Sequence, residues 1–364
     1  MRMSATEPAP EELVFVRADP LRAFVAAVFA AEGLPQADAE TVAACLVAAN
    51  LRGVDTHGVF RVANYLKRLR AGLYNRHPQI EVRRVGFAAA QVDGDNGMGA
   101  VVGSRAMEEA IAIALDKGTA LVSIRHSNHF GMAAFYALEA LKAGLIGMVF
   151  TNASPALPPW GGRAAFLGTS PLAVAVPAGS QPAFVLDMAM SVLARGNVYV
   201  AAGAARTIPP GLALDKEGRP TTNPQDLIDG GTMLPFGGVK GSGLSMLMDI
   251  LGGVLSGSAF AGRVGSPHQT FDRPQDVGHL FFCFRPDLFM PREAFLARMD
   301  ELVLAVKAQP KAAGFDEILI PGEREARCEA DRLAHGIPLT KAVLADLLKE
   351  ATAATPLEYT AQPF

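Results

Sequence analysis

Three glycines frame the first eighty residues: Gly33, Gly53 and Gly72 each close a run of apolar residues at helical spacing. Glycine just past a helix accepts the left-handed turn that ends it. The pattern predicts helices at about 20–32, 37–52 and 56–71, behind a frayed, Pro- and Glu-rich stretch over 1–13. From about residue 80 the texture changes. Short β-rich runs at 119–124, 146–151, 172–176, 184–186 and 278–284 alternate with helical stretches at 104–117, 133–143, 243–256 and 291–308. The tail returns to a strand at 318–320 and then to charged, Ala-rich helices up to about 352. A helical N-terminal unit, a large α/β centre and a helical C-terminal return are expected.

Composition narrows the partners. Half of the 364 residues are hydrophobic and mean hydropathy is +0.22, enough for a large core or two domains. The net charge of −3 comes without a basic stripe, which argues against nucleic acid. Cys45, Cys283 and Cys328 are odd in number and widely spaced, so they form neither a disulfide framework nor a metal set. Residues 21–31 resemble a short signal segment, but Glu11, Glu12 and Asp19 precede them where positive charge belongs. Asp19-Pro20 reads instead as the start of a capped amphipathic helix. Residues 243–260 are apolar but interrupted by Asp249, Gly and Ser, as in a buried core helix rather than a membrane span. A soluble cytoplasmic protein is expected.

The segment Val54-Asp55-Thr56-His57-Gly58-Val59-Phe60-Arg61 carries the chemistry. With Asp55 or Thr56 as helix cap, His57 and Arg61 would share one helix face four residues apart. A proton donor beside a guanidinium suits a substrate with a carboxylate and a carbonyl. The plainer alternative is a surface Arg beside a hydrogen-bonded His.

Elsewhere, residues 89–118 read as strand, Gly-rich loop and helix. Gly97, Gly99 and Gly103 approximate a dinucleotide fingerprint with the third glycine one place late. The acid about twenty residues on, Asp116, falls in the helix's last turn rather than at a strand end, which favours an ordinary turn. His129, in Ser127-Asn128-His129-Phe130-Gly131, lies on a strand-to-helix loop, where α/β folds place ligands. The polar turns at 151–155 and 167–171 suit either a cofactor or ordinary Asx turns. Asp187 ends a strand and could orient a His, bind a ribose hydroxyl or cap a helix. Lys240 stands on a glycine turn without the Gly-Lys-Ser/Thr order of a P-loop, as a phosphate partner or a solvated turn lysine. Phe60, Tyr65, Phe130 and Trp160 line a pocket or belong to the core.

Together these segments resemble the malate/L-lactate dehydrogenase family that lacks a Rossmann fold, which also contains L-sulfolactate, ureidoglycolate, diketogulonate and cyclic-imine (Δ1-piperideine-2-carboxylate) enzymes. The resemblance runs through RGVDTHGVFR at 52–61, VDGDNGMG at 92–99, SNHFG at 127–131, NASPALPPWGG at 152–162, LGTSP at 167–171, DMAMS at 187–191, GGVKGSG at 237–243 and IPGERE at 320–325. It implies an α/β fold with a mixed-sheet, non-Rossmann nicotinamide-binding domain over 81–285. A helical domain over 1–80, completed by helices of 286–364, would carry the catalytic His. A homodimer and NAD or NADP as cofactor are also implied.

By the same resemblance His57 matches the proton donor, Arg61 the carboxylate clamp, Thr56 a hydroxyl that is usually Ser, and His129 a second active-site His with a base role in some members. Val185, Leu186, Asp187, Met188, Ala189, Met190 and Ser191, then Val239 and Lys240, then Gly322, Glu323 and Arg324 match the cofactor contacts. No metal is implied. Met190, Ser170, Leu212 and Asn197 depart from the commoner Thr, Asn, Trp and Lys. The expected reaction is hydride transfer between nicotinamide and a small 2-hydroxy/2-oxo acid. Reduction of a cyclic imino acid is the alternative. A cofactor-free hydrolase using His57, His129 and Asp187, and a non-catalytic cofactor-binding protein, are the competing classes.

Overall fold

The computed structural model describes residues 13–354 apart from 194–197, 199–200 and 204; Asn197 and residues 1–12 therefore lie outside the described residues. Helices α1 (Ala18–Ala31), α2 (Gln36–Leu51) and α3 (Val62–Arg70) form where glycine spacing predicts, except that α3 begins six residues late. Gly33, Gly53 and Gly72 all take positive φ at their ends. The signal-like run lies inside α1, where Leu21, Phe24, Val25, Val28 and Phe29 are buried. Each such side chain contributes about 1.5–3 kcal/mol on burial. The helix starts at Ala18 without a side-chain cap, so the expected capping is absent.

Both chain ends meet in this helical part. Strand β1 (Leu13–Val16) pairs antiparallel with β14 (Ile337–Thr340), with Val16 opposite Ile337. One hydrophobic cluster joins Phe24, Phe29, Leu46, Leu66 and Leu69 to Ile337, Leu339, Leu347 and Ala351 from the far end of the chain.

A second cluster builds around a seven-stranded sheet of order β2-β3-β4-β13-β5-β8-β9. Its strands are β2 (Glu81–Gly86), β3 (Ala89–Asp93), β4 (Thr119–Ser127), β5 (Ile146–Thr151), β8 (Leu172–Val176), β9 (Phe184–Met188) and β13 (Val277–Phe284), while the short β6 (Pro155–Leu157), β7 (Leu167–Gly168), β10 (Ala213–Leu214), β11 (Pro220–Thr221) and β12 (Thr232–Met233) pair outside it. Only β3 and β4 run parallel, joined through α4 (Gly99–Lys117); every other neighbour is antiparallel. A Rossmann fold needs a succession of parallel strands, so this mixed sheet is not one. The Gly-rich loop confirms it. A Cβ on Gly99 would stand 2.3 Å from the Asn128 carbonyl oxygen, and one on Gly103 2.6 Å from the Tyr136 ring. Those glycines admit protein, leaving no room for pyrophosphate.

Three segments depart from expectation. Helix α4 begins at Gly99 rather than 104, because Gly99 and Val102 pack into the core instead of forming a loop. Residues 318–320 form no strand; the segment meets β9 through a single bond, Val185 N–H to the Pro321 carbonyl at 2.9 Å, and proline stops the ladder. The apolar helix over 243–256 is α7 (Val239–Asp249), which follows α5 (Ala134–Lys142) and the short α6 (Pro224–Ile228) and runs into a π turn (Ile250–Val254). It is not a buried core helix: Met246, Leu247, Ile250, Val254 and Leu255 are exposed. Among the described residues no helix is long and apolar enough to cross a membrane.

Candidate active site

The expected continuous helix from residue 56 is broken. Asp55–His57 and Val59–Arg61 are separate 3₁₀ turns, with Gly58 extended between them at φ −85 and ψ −152. Asn50, buried in α2, causes the break. Its side-chain oxygen accepts the Val59 N–H at 2.8 Å, and its amide donates to Asp55 Oδ1 at 2.6 Å. Asp55 therefore does not cap a helix, and neither does Thr56. Arg332, from helix α9 (Glu323–His335), which follows α8 (Arg292–Lys307), holds the Asp55 carboxylate with both ends of its guanidinium, at 2.7 and 3.0 Å.

His57 and Arg61 consequently do not share a helix face; they come together across the broken turn. Arg61 Nε donates to the Thr56 carbonyl at 2.6 Å, and Thr56 Oγ1 lies 3.1 Å from His57 Nδ1. The His57 ring stacks on His129 at 5.6 Å with planes 16° apart. His129 sits on the loop after β4, as the strand-to-helix pattern predicts. Its Nδ1 lies 2.6 Å from the Tyr65 hydroxyl, and its backbone N–H donates to Gln275 Oε1 at 3.2 Å.

Burial lowers the His57 pKa to about 4, and the Arg61 charge adds to the effect. Burial also holds His129 well below the ordinary histidine range, with Arg61 and His57 next in effect. Both rings are neutral at pH 7.

Periodicity gave no sign of the segment that covers Arg61. His268 Nε2 lies 2.9 Å from Arg61 Nη1 and its Nδ1 3.3 Å from the Asn64 amide. Arg68, fully buried, anchors that segment by donating to the Thr270 carbonyl at 2.6 Å, with Tyr74 and Phe271 against its guanidinium. Beneath the loop, His279 bonds Ser127 Oγ at 2.9 Å and Thr151 Oγ1 at 2.7 Å, and stacks on Phe130 at 4.4 Å. Of the aromatics weighed as pocket or core, Tyr65 and Phe130 are buried while Phe60 and Trp160 are exposed.

The segments matched to cofactor contacts also converge. Val185–Met188 lie on β9, the sheet's edge; Met190 N–H bonds the Thr169 carbonyl, and Phe236 N–H bonds the Met190 carbonyl, bringing in the turn before Val239 and Lys240. Gly322 has φ +90 and lies so close to Val185 that a Cβ would stand 2.6 Å from the valine's. The Glu323 carboxylate is engaged inside the protein by Lys307, Arg327 and the Ile320 N–H. Arg324 and Lys240 are exposed. Asp187 accepts the Ala134 N–H at 2.8 Å, and burial pushes its carboxyl up to about 6. Asn152, in the polar turn after β5, donates to the Ala259 carbonyl at 2.7 Å and accepts from Gly278 N–H at 3.1 Å, a structural cross-link. Among the described residues no cluster of His, Cys, Asp or Glu could hold a metal.

A mixed sheet with this histidine pair defines a class that comparison with known proteins identifies. A profile of the malate/L-lactate dehydrogenase family matches residues 16–348. The chain belongs to that family.

Malate dehydrogenase from Pyrococcus horikoshii is 39% identical over 344 residues, spanning 93% of this chain and 94% of the relative. Its solved structure superposes with a TM-score of 0.87 at 36% identity, covering 96% of this chain and 98% of the other. L-sulfolactate dehydrogenase from Methanocaldococcus jannaschii is 40% identical over 304 residues, 82% of this chain and 86% of the relative. The structure of Δ1-piperideine-2-carboxylate reductase from Pseudomonas syringae pvar. tomato superposes at TM-score 0.84 and 30% identity, covering 93% of this chain and 99% of the other. Relatives are named for either coenzyme: ureidoglycolate dehydrogenase (NAD(+)) of Escherichia coli and (2R)-3-sulfolactate dehydrogenase (NADP(+)) of Chromohalobacter salexigens. Our protein is thus an oxidoreductase of the dehydrogenase kind.

Proposed function

We propose that the protein interconverts a small 2-hydroxy acid and its 2-oxo acid using NAD or NADP, with His57 as proton carrier and Arg61 as carboxylate clamp. The observation that carries this is the His57–His129 stack beside Arg61. Arg61 is oriented by the Thr56 carbonyl and by His268, so its guanidinium is fixed before substrate arrives. Thr56 Oγ1 at 3.1 Å orients the His57 ring. A substrate carboxylate on Arg61 offsets the positive charge that helps keep His57 unprotonated, so His57 gains proton affinity when substrate binds.

The residues present fit a nicotinamide cofactor. Lys240 and Arg324 are exposed cations suited to its phosphates, and the buried Ser170 Oγ, next to Thr169, has no hydrogen-bond partner among the described residues. In this reading Val185–Ser191, Val239, Lys240 and Gly322–Arg324 hold the cofactor, with Glu323 acting through its backbone. When bound, the cofactor supplies or accepts the hydride.

The two hydrophobic clusters support a helical domain over 1–80 completed by 286–364, and a cofactor domain over 81–285. The exposed apolar face of α7 and its π turn supports a homodimer. The three free cysteines support a cytoplasmic home.

The test follows nicotinamide absorbance with purified protein. NADH and NADPH are offered separately with 2-oxo acids and, in parallel, with cyclic imino acids. Turnover of 2-oxo acids is expected. Turnover of imino acids alone selects the imine reductase reading, which the Pseudomonas structure favours, and silence with every pair overturns both. His57→Ala should lower turnover about 10²–10⁴-fold, the usual worth of a general acid, with cofactor affinity unchanged.

A further inference from the structure

The partners of His129 reveal which of its ring nitrogens bears the proton. Two groups converge on Nδ1: the Tyr65 hydroxyl at 2.6 Å and the Gly131 backbone N–H at 3.4 Å. A backbone N–H can only donate, so Nδ1 is the acceptor. Tyr65 is buried, which raises its hydroxyl pKa well above the ordinary value, so it too keeps its proton and donates. The proton of the neutral ring therefore sits on Nε2, which no described residue bonds. The backbone on this side is fixed by Gln275 through the His129 N–H, and the adjoining Phe130 ring is stacked on His279.

Two histidines stacked at 5.6 Å beside an arginine divide their work, since charging one disfavours charging the other. A base would present a bare nitrogen to the substrate. His129 instead presents an N–H.

Resting on the oxidoreductase reading above, we propose that His129 is a neutral hydrogen-bond donor to the substrate oxygen that alternates between hydroxyl and carbonyl, and that Tyr65 is the positioning residue that selects this tautomer. In reduction the carbonyl carbon gains the hydride of the reduced nicotinamide, leaving the nicotinamide oxidised. The π pair moves onto oxygen, and the oxygen takes its proton from His57, which picks that proton up from solvent when the substrate carboxylate settles on Arg61. His129 steadies the growing negative charge through Nε2–H and keeps its own proton.

Long-range ¹H–¹⁵N spectra of histidine-labelled protein at neutral pH test the tautomer, with the His129 signal identified by its loss in His129→Gln. A protonated Nε2 and a bare Nδ1 are expected, and Tyr65→Phe should redistribute that signal while thermal unfolding still shows a folded protein. A protonated Nδ1, or a ring protonated on both nitrogens, overturns the proposal. Kinetics supply the second arm. Removal of one such donor costs about 10²–10³-fold in kcat, which is the expectation for His129→Ala. His129→Gln retains an N–H and should recover part of that loss; glutamine as impaired as alanine would mean a base. The spectra need no substrate, so a wrong tautomer sinks this inference alone, whereas absence of all nicotinamide-linked turnover sinks the oxidoreductase reading and this inference with it.

Discussion

The side chain of Asn50 occupies the space that any side chain on Gly58 would need: a Cβ there would lie 2.2 Å from Asn50 Oδ1. This contact breaks the helix between His57 and Arg61 and sets their relative placement.

Gly58→Ala should therefore displace the Asn50 amide, destabilise the fold by about 1–3 kcal/mol through overpacking, and depress turnover. Urea unfolding and steady-state rates read the two effects. Wild-type values for both would mean that the turn tolerates a side chain.

Asn50→Ala leaves the Val59 N–H and the Asp55 carboxylate without their buried partner. A loss of about 1–3 kcal/mol is expected for the unsatisfied groups. Asn50→Asp keeps the acceptor for Val59 but sets two carboxylates together, and should fare no better.

Replacing Arg61 by Lys keeps the charge but removes the planar fork that reaches Thr56 and His268 together. Loss of a charge-assisted bond is worth about 1.5–3 kcal/mol, which corresponds to a rise in substrate KM of about 10- to 100-fold. A change confined to the cofactor's KM would remove Arg61 from the substrate site.

The pH profiles of reduction should separate. In the free enzyme His57 has a pKa of about 4, lowered by burial and by Arg61, with His129 and Thr56 as its other neighbours. A carboxylate on Arg61 raises it. The limb where activity falls with rising pH should thus lie higher in kcat, which reports the complex, than in kcat/KM, which reports the free enzyme. Coincident limbs would break the link between the clamp and the proton carrier.

Stability should also track the buried His279, whose pKa burial lowers to about 3 against an ordinary value near 6.5. The unfolded chain binds the proton first, so His279's contribution is complete above about pH 6.5 and is lost as pH falls from there toward 3. The slope is about 1.4 kcal/mol per pH unit for such a group. Urea midpoints measured between pH 7 and 5 should fall more steeply for the wild type than for His279→Gln.

Much of the fold was legible because it rests on local chemistry. Glycine stops mark the ends of α1, α2 and α3, and the buried strands at 146–151 and 172–176 stand out as β-rich apolar runs within a residue of their observed bounds. The motifs mark His57, Arg61 and His129, which the fold brings side by side. What stayed hidden depends on contacts between distant residues. Asn50 redirects a helix nine residues away, and His268 returns to Arg61 across 207 residues of chain. Strand β14, with Pro338 in its middle, falls within the stretch whose composition reads as charged, Ala-rich helix, and its pairing shows only once β1 is placed beside it. The exposed side of α7 looks like core because apolar composition does not say which face meets solvent.

The Asp55–Arg332 bridge gives the completion of the active site a place in time. Its two residues are 277 positions apart. At a synthesis rate of about 5–20 residues per second, tens of seconds separate their emergence from the ribosome. For that interval the turn that carries His57 lacks the arginine that holds its Asp55 carboxylate. The central strand β13 also emerges late, shortly ahead of Arg332, so a chain released between the two can complete its sheet while the turn that carries His57 stays unbraced.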